Sequence, residues 1–229
     1  MRAGTLVFAL IAALLLSGCD GTQAFDMDGR QIGVPVPSGF KPTKQDMPSV
    51  FKNIVSRTLP STGRMVEFYV DNEDARSLKS HEDPVFLKKS RSVTYIKEGR
   101  DFTAGDFASL KAEMLAGGGS YVAKGVMAQN QRDEQQSQRT GDAPVVLSDG
   151  RFLGVFLDDG NAIGRAHLVD ERVGAFSRPA IHAVVAFRVR DRGIVLKCTS
   201  AVTSESDIRT TEKQCEDWAG AVMRTNAGP

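Results

Sequence analysis

Three cysteines carry the most reactive side chains in the sequence, and they fall into two groups. Cys19 lies near the N terminus, whereas Cys198 and Cys215 lie close together in the last part of the chain. A thiol can be acylated, oxidised to a disulfide or bound to a metal, and its surroundings decide which reaction it undergoes. We therefore examine what precedes Cys19 and which elements carry the other two.

Metal binding is the first chemistry to test, and the histidines do not favour it. The chain has three of them, at His81, His167 and His182. None pairs with another histidine or with a cysteine at the spacing of zinc ligands, so we expect no metal or other cofactor. His182 falls on the polar side of a predicted strand, which favours a structural or surface role over a catalytic one.

The residues before Cys19 have the three parts of a secretory signal. Arg2 supplies one positive charge, Leu6 to Leu16 is an uncharged apolar run, and the sequence Leu16-Ser17-Gly18-Cys19 follows. Basic start, apolar middle and small residues before a cleavage point are typical of such signals. The apolar run is shorter than the ~20 residues of a comfortable membrane span.

Leu16-Ser17-Gly18-Cys19 resembles the lipobox of bacterial lipoproteins. The resemblance implies a signal peptide at residues 1–18, cleavage before Cys19, diacylation of its thiol with chains such as palmitate, and acylation of the new amino terminus. Burial of an acyl chain in the bilayer contributes about 0.8 kcal/mol of binding free energy per CH₂, so several chains would hold the protein on the periplasmic side of a membrane. An ordinary secretory signal is the alternative. Asp20 resembles a retention signal for the inner membrane.

Length and charge limit the remaining chain to an ordinary globular protein. Without residues 1–18 it has 211 residues, enough for one domain or two small lobes, with 28 basic and 28 acidic residues. A neutral balance argues against a nucleic-acid binder. We predict a tether over 19–31 and a single domain over 32–229, with two lobes divided at the glutamine-rich segment as the alternative.

Strand patterns dominate the predicted domain. Asp149-Gly150 between apolar runs predicts a hairpin over Val145–Leu157, and Ile181–Val202 predicts a second hairpin that turns at Arg190–Gly193. Ser120–Met127 reads as another strand. Residues 128–144 are rich in glutamine and have no large apolar anchor, which predicts an exposed loop there.

Two helices complete the predicted fold. The first covers Asp101–Leu115, where Thr103 and Asp106 have the spacing of a capping box. The second covers Ser204 to about Thr225, with acidic residues near its start. The fold class is therefore α+β: a mainly antiparallel sheet packed with a mid-chain helix and a long C-terminal helix.

The remaining cysteines lie on faces that would meet if the last helix packs on the strand before it. Cys198 shares a strand face with Leu196, and Cys215 shares a helix face with Trp218 and Val222. In an exported domain this favours a Cys198–Cys215 disulfide over two inert core thiols. The bridge would be worth roughly 3 kcal/mol in the chain-entropy model.

Other sequence features give weak signals. Asp158-Asp-Gly-Asn161 lacks the alternating ligands of a calcium loop and reads as a turn. Gly117–Gly119 follows a helix and does not join a strand to a helix start, so it is no phosphate loop. No Gly-x-Ser-x-Gly nucleophile motif occurs. The cluster Arg188, Arg190 and Arg192 is either a small anion-binding patch or, as we favour, a solvated turn.

The order of elements from about Pro35 to Asn226 resembles the PsbP-like α+β sandwich. An early Pro-Ser-Gly-Phe40 turn, repeated antiparallel strands, one mid-chain helix and a long last helix carry this resemblance. It implies an architecture and transfers no function.

These observations favour a lipid-anchored envelope protein that is not an enzyme and binds a protein partner, as an immunity protein or as an accessory subunit of an envelope machine. Two alternatives stay open. A deep apolar pocket would favour a small-ligand-binding lipoprotein. A cleft that gathers His167 or His182 with a carboxylate and a hydroxyl would favour a hydrolase with a dispersed site.

Overall fold

The computed structural model describes residues 19–57, 63–80, 86–96, 99–116, 120–141, 143–148 and 150–228. Its strands are β1 (Cys19–Met27), β2 (Arg30–Pro37), β3 (Phe40–Pro42), β4 (Gly63–Asp71), β5 (Lys89–Ile96), β6 (Val145–Leu147), β7 (Arg151–Asp158), β8 (Ala162–Val173), β9 (Phe176–Val189) and β10 (Arg192–Ala201). Its helices are α1 (Thr43–Asp46), α2 (Pro48–Arg57), α3 (Asn72–Lys79), α4 (Ala104–Ala116), α5 (Ser120–Thr140) and α6 (Glu205–Asn226). In these ranges no helix has the length and apolar character needed to cross a membrane.

One antiparallel sheet organises the fold and confirms the predicted α+β class. Its strand order is β3-β4-β5-β10-β9-β8, and β6 and β7 both pair with the outer side of β8. The predicted β9–β10 hairpin is confirmed, with Val189 opposite Arg192. Its two turn residues, Arg190 and Asp191, have φ angles of 47° and 58°, as a tight turn that matches strand twist requires.

The predicted tether is wrong, because residues 19–31 form β1 and the beginning of β2. These strands make a separate two-stranded hairpin with Met27 opposite Arg30. Asp28 and Gly29 form its turn with φ angles of 51° and 79°, the favoured Asp-Gly turn chemistry. Along β1, half-buried and buried residues alternate with exposed ones, a period of two that places one face of the strand on the core.

The β1–β2 hairpin and α6 together cover one face of the sheet. The buried core there includes Trp218, Val222, Leu196 and Phe187. The Trp218 indole donates to the Pro35 carbonyl at 2.8 Å, so its polar atom is satisfied inside the core. The predicted last helix is confirmed, and the Asp207 carboxylate accepts from the Ser204 N–H at its start at 2.8 Å.

The other helices lie on the opposite face. Helices α1, α2 and α3 pack on β4 around Phe68 and Val70. Helix α4 packs on β8 and β9 through Phe107 and Met114. The predicted capping box of α4 is confirmed, because Asp106 N–H donates to Thr103 Oγ1 at 3.1 Å and Thr103 N–H donates back to the Asp106 carboxylate at 2.9 Å.

The strand and glutamine-rich loop predicted over 120–144 are wrong, since α5 runs to Thr140. Glutamine, glutamate, arginine and methionine are good helix formers, and this propensity outweighs the missing apolar stripe. Among the described side chains of α5, Asn130 attaches the helix to β6 by hydrogen bonds to the backbone of Leu147.

The hairpin predicted over Val145–Leu157 is also wrong. β6 pairs with Val173 to Glu171 of β8, and β7 continues along the same strand from Leu168 to Ile163. The two segments are therefore successive pieces of one interrupted edge. Asp149 lies outside the described residues, as do Gly117–Gly119 and the signal segment.

Candidate functional site

A row of polar side chains crosses the middle of the helix-covered sheet face. Cross-strand register places Thr199 of β10 beside His182 of β9, and His182 beside His167 of β8. Two residues along, Lys197 lies opposite Ser92 of β5. Paired residues in an antiparallel sheet point to the same side, so these groups share one surface between α2, α5 and the sheet.

Part of this surface, around Thr199, His182 and Lys197, forms a cleft of about 270 Å³, which we call the central cleft. Charged and polar residues line it together with apolar ones: Ile54, Arg57, Phe86, Leu87, Ser90, Asp133, Val145, Leu147, Glu171, Arg178, His182, Lys197 and Thr199. The apolar side chains come from α2, β6 and the segment before β5. A mixed lining with a few polar groups is typical of binding sites.

Glu171 is held by two neighbours in the cleft. Arg178 donates to Glu171 Oε2 through Nε at 2.9 Å and through Nη2 at 2.6 Å. His182 Nε2 lies 3.3 Å from Glu171 Oε1. Arg178 is itself fixed by the Leu87 carbonyl at 2.6 Å and by the Phe86 ring, whose centroid lies 4.7 Å from its guanidinium carbon. Arg178 thus contacts one Glu171 oxygen through two nitrogens and His182 contacts the other, so neither oxygen is without a neighbouring nitrogen donor.

The same contacts set the protonation states. Burial by itself would raise the pKa of Glu171, but the hydrogen bond and charge of His182, with Arg178, lower it to about 2. Burial, and then the charge of Lys197, lower the pKa of His182 to about 4. At neutral pH His182 is therefore an uncharged donor to an ionised Glu171, and Arg178 supplies the ion pair.

Lys197 is the unbalanced charge in the central cleft. Its ammonium group makes no hydrogen bond or ion pair within the described part of the chain. Burial lowers the pKa of Lys197, against the attraction of Glu171 and Asp133. With Arg57 and Arg178, the lining contains three basic residues, against the two acidic residues Asp133 and Glu171. The cleft is thus suited to one additional negative charge.

The described residues of the central cleft do not assemble an activated nucleophile. His182, Glu171 and the Thr199 hydroxyl line one cleft, which meets part of the condition for a hydrolase. However, among the described residues no hydrogen bond joins His182 to a hydroxyl group. A histidine base must reach the hydroxyl that it activates. His167 contacts the Phe152 ring at a centroid distance of 5.3 Å, and it does not line the cleft.

The arginine cluster is only partly the solvated turn that we favoured, because Arg190 is exposed, Arg188 is half-buried and Arg192 is buried. Arg188 donates to the Phe102 carbonyl at 2.8 Å and Arg190 to the Asn226 carbonyl at 3.0 Å. Arg192 donates to the Met27 carbonyl at 2.8 Å. Each guanidinium therefore joins the β9–β10 turn to another element, and carbonyl oxygens occupy some of its five N–H donors.

The structure places Cys198 and Cys215 at disulfide distance, with 5.9 Å between their Cα atoms and both residues fully buried. Cys19 is the first residue of β1, and its Cα partner is Pro37. Cys198 lies between Lys197 and Thr199 on β10, but its side chain is in the core on the opposite face of the sheet. No cysteine is among the lining residues of the central cleft.

The turn at Asp158–Asn161 matches the prediction. The Asp159 carboxylate accepts from the N–H groups of Asn161 and Ala162 at 2.7 Å and 2.6 Å, and Asp158 pairs with Lys111. Across the described ranges, no cluster of three or more His, Cys, Asp and Glu side chains is arranged to hold a metal ion. His81 lies outside those ranges.

Sequence reasoning missed Glu171, Arg178 and Lys197, although a signal existed. In β8, β9 and β10 these residues occupy the same alternate positions as His182. A polar alternate face normally indicates solvent exposure. Only the helices that cover this face turn it into a cleft, and their docking cannot be read from strand periodicity.

No protein-family model and no curated protein matches this chain. Solved structures similar to it include the Saccharomyces cerevisiae Ran-binding protein Mog1p, at 15% identity, 90% coverage of this chain, 94% of that chain and a TM-score of 0.37. They also include cyanobacterial PsbP from Synechocystis, at 10% identity, 93% and 96% coverage and a TM-score of 0.39. A member of the PsbP-like family is thus among the similar structures. At these identities and TM-scores, neither protein's ligand is transferred to this chain.

Proposed function

We propose that this chain is a lipid-anchored protein-binding module of the cell envelope, without catalytic activity. It holds a carboxylate-bearing segment of its partner in the central cleft. The observation that carries the proposal is the half-buried Lys197, whose side chain makes no hydrogen bond or ion pair within the described residues, in a cleft that otherwise carries two arginines and two acidic residues. A partner carboxylate at Lys197 would complete the cleft by a charge-assisted hydrogen bond.

Apolar residues around Lys197 favour a peptide segment as the occupant. Leu147 and Val145 lie on one side of the cleft, and Ile54 and Leu87 also line it. A segment with one acidic residue between apolar side chains would match this lining in charge and polarity. The rigid Glu171–Arg178 pair would then position the partner without reacting with it.

Site-specific photocrosslinking in the native envelope tests this use of the cleft. A photoreactive residue in place of Val145 is expected to crosslink to one protein partner. The same residue in place of the exposed Met127 on α5 serves as the control. Lys197→Met should abolish the crosslink, whereas Lys197→Arg should retain it. Crosslinks that form at Met127 alone, or that survive Lys197→Met in a folded variant, would reject the proposal.

The anchor is tested separately. The residues before Cys19 support lipidation, and incorporation of a palmitate analogue should be lost in Cys19→Ser. The protein should then leave the membrane fraction. A wild-type chain that carries no acyl group would reject the anchored part of the proposal and leave the cleft part intact.

A hydrolase is the second candidate, favoured by the shared position of His182, Glu171 and Thr199. It predicts turnover of ester or amide substrates that disappears in His182→Ala and in Thr199→Val. The binding proposal predicts no turnover that depends on either residue. A small free carboxylic acid that binds the cleft with the same dependence on Lys197, without any protein crosslink, would identify a small-ligand binder.

A further inference from the structure

We infer that a second, basic cavity seats the domain on anionic phospholipid headgroups of the membrane that carries its anchor. This inference rests on the proposed lipid anchor at Cys19. The cavity measures about 420 Å³, lies beside α3 and shares no lining residue with the central cleft. We call it the basic cavity, and its lining residues are Lys41, Asn72, Ala75, Arg76 and Lys79.

The charge of the basic cavity is one-sided. Three of its five lining residues are basic, and no carboxylate lines it. Lys41, Arg76 and Lys79 are exposed, and none takes part in an ion pair within the described part of the chain. Nearby, Glu73 is paired with Lys88. Clustered cations of this kind attract phosphate groups.

The carboxylate of Asp71 is also engaged. It caps α3 by accepting from the N–H groups of Glu73 and Asp74, at 2.8 Å each. The acidic groups around α3 therefore have partners of their own, and the three basic side chains remain available to a surface of opposite charge.

A short path in the chain joins the basic cavity to the anchor residue. Cys19 pairs with Pro37. Two residues later, the Gly39 carbonyl accepts from the N–H of Asn72 at 3.0 Å. Asn72 is the first residue of α3 and part of the lining. From strand spacing and chain extension, the Cys19 and Asn72 backbones lie within about 20 Å. Acyl chains on Cys19 would therefore bring this surface to the bilayer.

One exposed aromatic residue lies at the same end of the sheet. Phe176 begins β9, and its side chain is 62% exposed. The start of β9 lies at the end of β10, because Ala180 pairs with Ala201. The end of β4 lies at the same edge, because its Val70 pairs with Ser90 near the start of β5. The start of β5 in turn pairs with the end of β10, through Lys89 and Ser200. Phenylalanine is among the apolar residues that interfacial segments bury at the boundary between headgroups and acyl chains. Cys19, the basic cavity and Phe176 thus share one end of the sheet.

Depth-dependent quenching of the lipidated protein in vesicles tests the orientation. One fluorophore is attached at Ser80→Cys, beside the basic cavity, and one at Ala227→Cys, beyond the end of α6. That helix has 22 residues and is about 33 Å long. With 30% phosphatidylglycerol and a headgroup quencher, the Ser80 label should be quenched at least threefold more than the Ala227 label. In phosphatidylcholine vesicles this difference should disappear.

Charge variants decide whether the basic cavity is responsible. Each neutralised cation should lower the ratio of docked to free orientation about fivefold, and Lys41→Gln, Arg76→Gln and Lys79→Gln together about a hundredfold. Arg151→Gln, Lys213→Gln and Arg224→Gln remove the same charge elsewhere and should change the ratio less than twofold. Equal quenching at both labels, or equal effects of the two triple variants, would overturn the inference. Protein that fails to float with vesicles would instead reject the anchor.

Discussion

The side-chain amide of Asn130 hydrogen-bonds to both backbone groups of Leu147. Its oxygen accepts from the Leu147 N–H at 2.8 Å, and its nitrogen donates to the Leu147 carbonyl at 2.7 Å. Asn130 lies on α5 and Leu147 on β6, a strand with no sheet neighbour except β8 among the described residues. One side chain thereby takes the place of a neighbouring strand at this edge.

Loss of this amide should weaken the edge in two ways. Asn130→Ala removes two hydrogen bonds to a half-buried backbone, so we expect the free energy of unfolding to fall by about 1–3 kcal/mol. It also exposes strand groups that can pair with a second molecule, so self-association should rise. Urea unfolding and light scattering measure the two effects. Gln131→Ala, at the exposed neighbouring position, should change neither, and equal effects of both variants would contradict this role.

The Cys198–Cys215 pair should be oxidised in protein from an oxidising compartment. Reduction by an added thiol should then raise its intact mass by two hydrogen atoms. Because the bridge constrains the unfolded chain, Cys215→Ala should lower the unfolding free energy by about 3 kcal/mol. When Cys198→Ala is added to Cys215→Ala, the further decrease in the free energy of unfolding should be much smaller than the first, because the bridge is already lost. Two free thiols, or costs that simply add, would contradict the pairing.

Acidification should destabilise the protein through His182. Its folded pKa of about 4 lies below its ordinary value of 6.5, so the unfolded chain takes up the proton first. The contribution of uncharged His182 to the free energy of unfolding is complete above pH 6.5 and is lost as the pH falls towards 4. It amounts to about 3 kcal/mol, with a slope of up to ~1.4 kcal/mol per pH unit.

Urea unfolding between pH 4.5 and 6.5 checks the His182 prediction. His182→Gln should reduce the slope of unfolding free energy against pH by about one proton. Glu171 stays ionised in the folded protein over this range because its pKa is lowered to about 2. A ring of His182 that titrates near pH 6.5 in NMR spectra would show that the prediction is wrong.

Arg192 should fasten the β1–β2 hairpin to the sheet. It donates to the carbonyls of Met27 and Asp28 at 2.8 Å and 3.0 Å and pairs with Asp101. Arg192→Met leaves these acceptors without their donor, so the free energy of unfolding should fall by about 2–4 kcal/mol. Hydrogen exchange should accelerate in 19–37 before it does in β9. Arg209→Met, at an exposed position on α6, is the control, and uniform acceleration over all strands would contradict a local role.

The two Asp-Gly pairs show how far local turn chemistry predicts this fold. Asp28-Gly29 forms a tight turn, although the prediction for that segment was a tether. The pair at 149–150 was predicted to turn, yet the strands on either side of it both follow β8. Turn chemistry permits a hairpin in both places. The difference lies in long-range pairing, because β8 is long enough to hold both β6 and β7.

The elements predicted most accurately combine local signals with a packed face. The helices at Thr103 and Ser204 have both capping residues and apolar periodicity, and the Cys198–Cys215 proximity follows from two such periodicities. The central cleft has no local signal of this kind. Lys197 and Glu171 are brought together by sheet register, and α2 and α5 then determine that they line a cleft.

The position of Cys19 at the first residue of β1 has a consequence for reach. A flexible linker of 13 residues would let the domain move about 20 Å from its attachment point. In this protein the folded β1–β2 hairpin takes the place of such a linker. With the proposed acyl chains on Cys19, the domain stays in the interfacial layer and moves only laterally. The domain therefore cannot reach partners far from the bilayer, and we expect its partner to be confined to the same membrane surface.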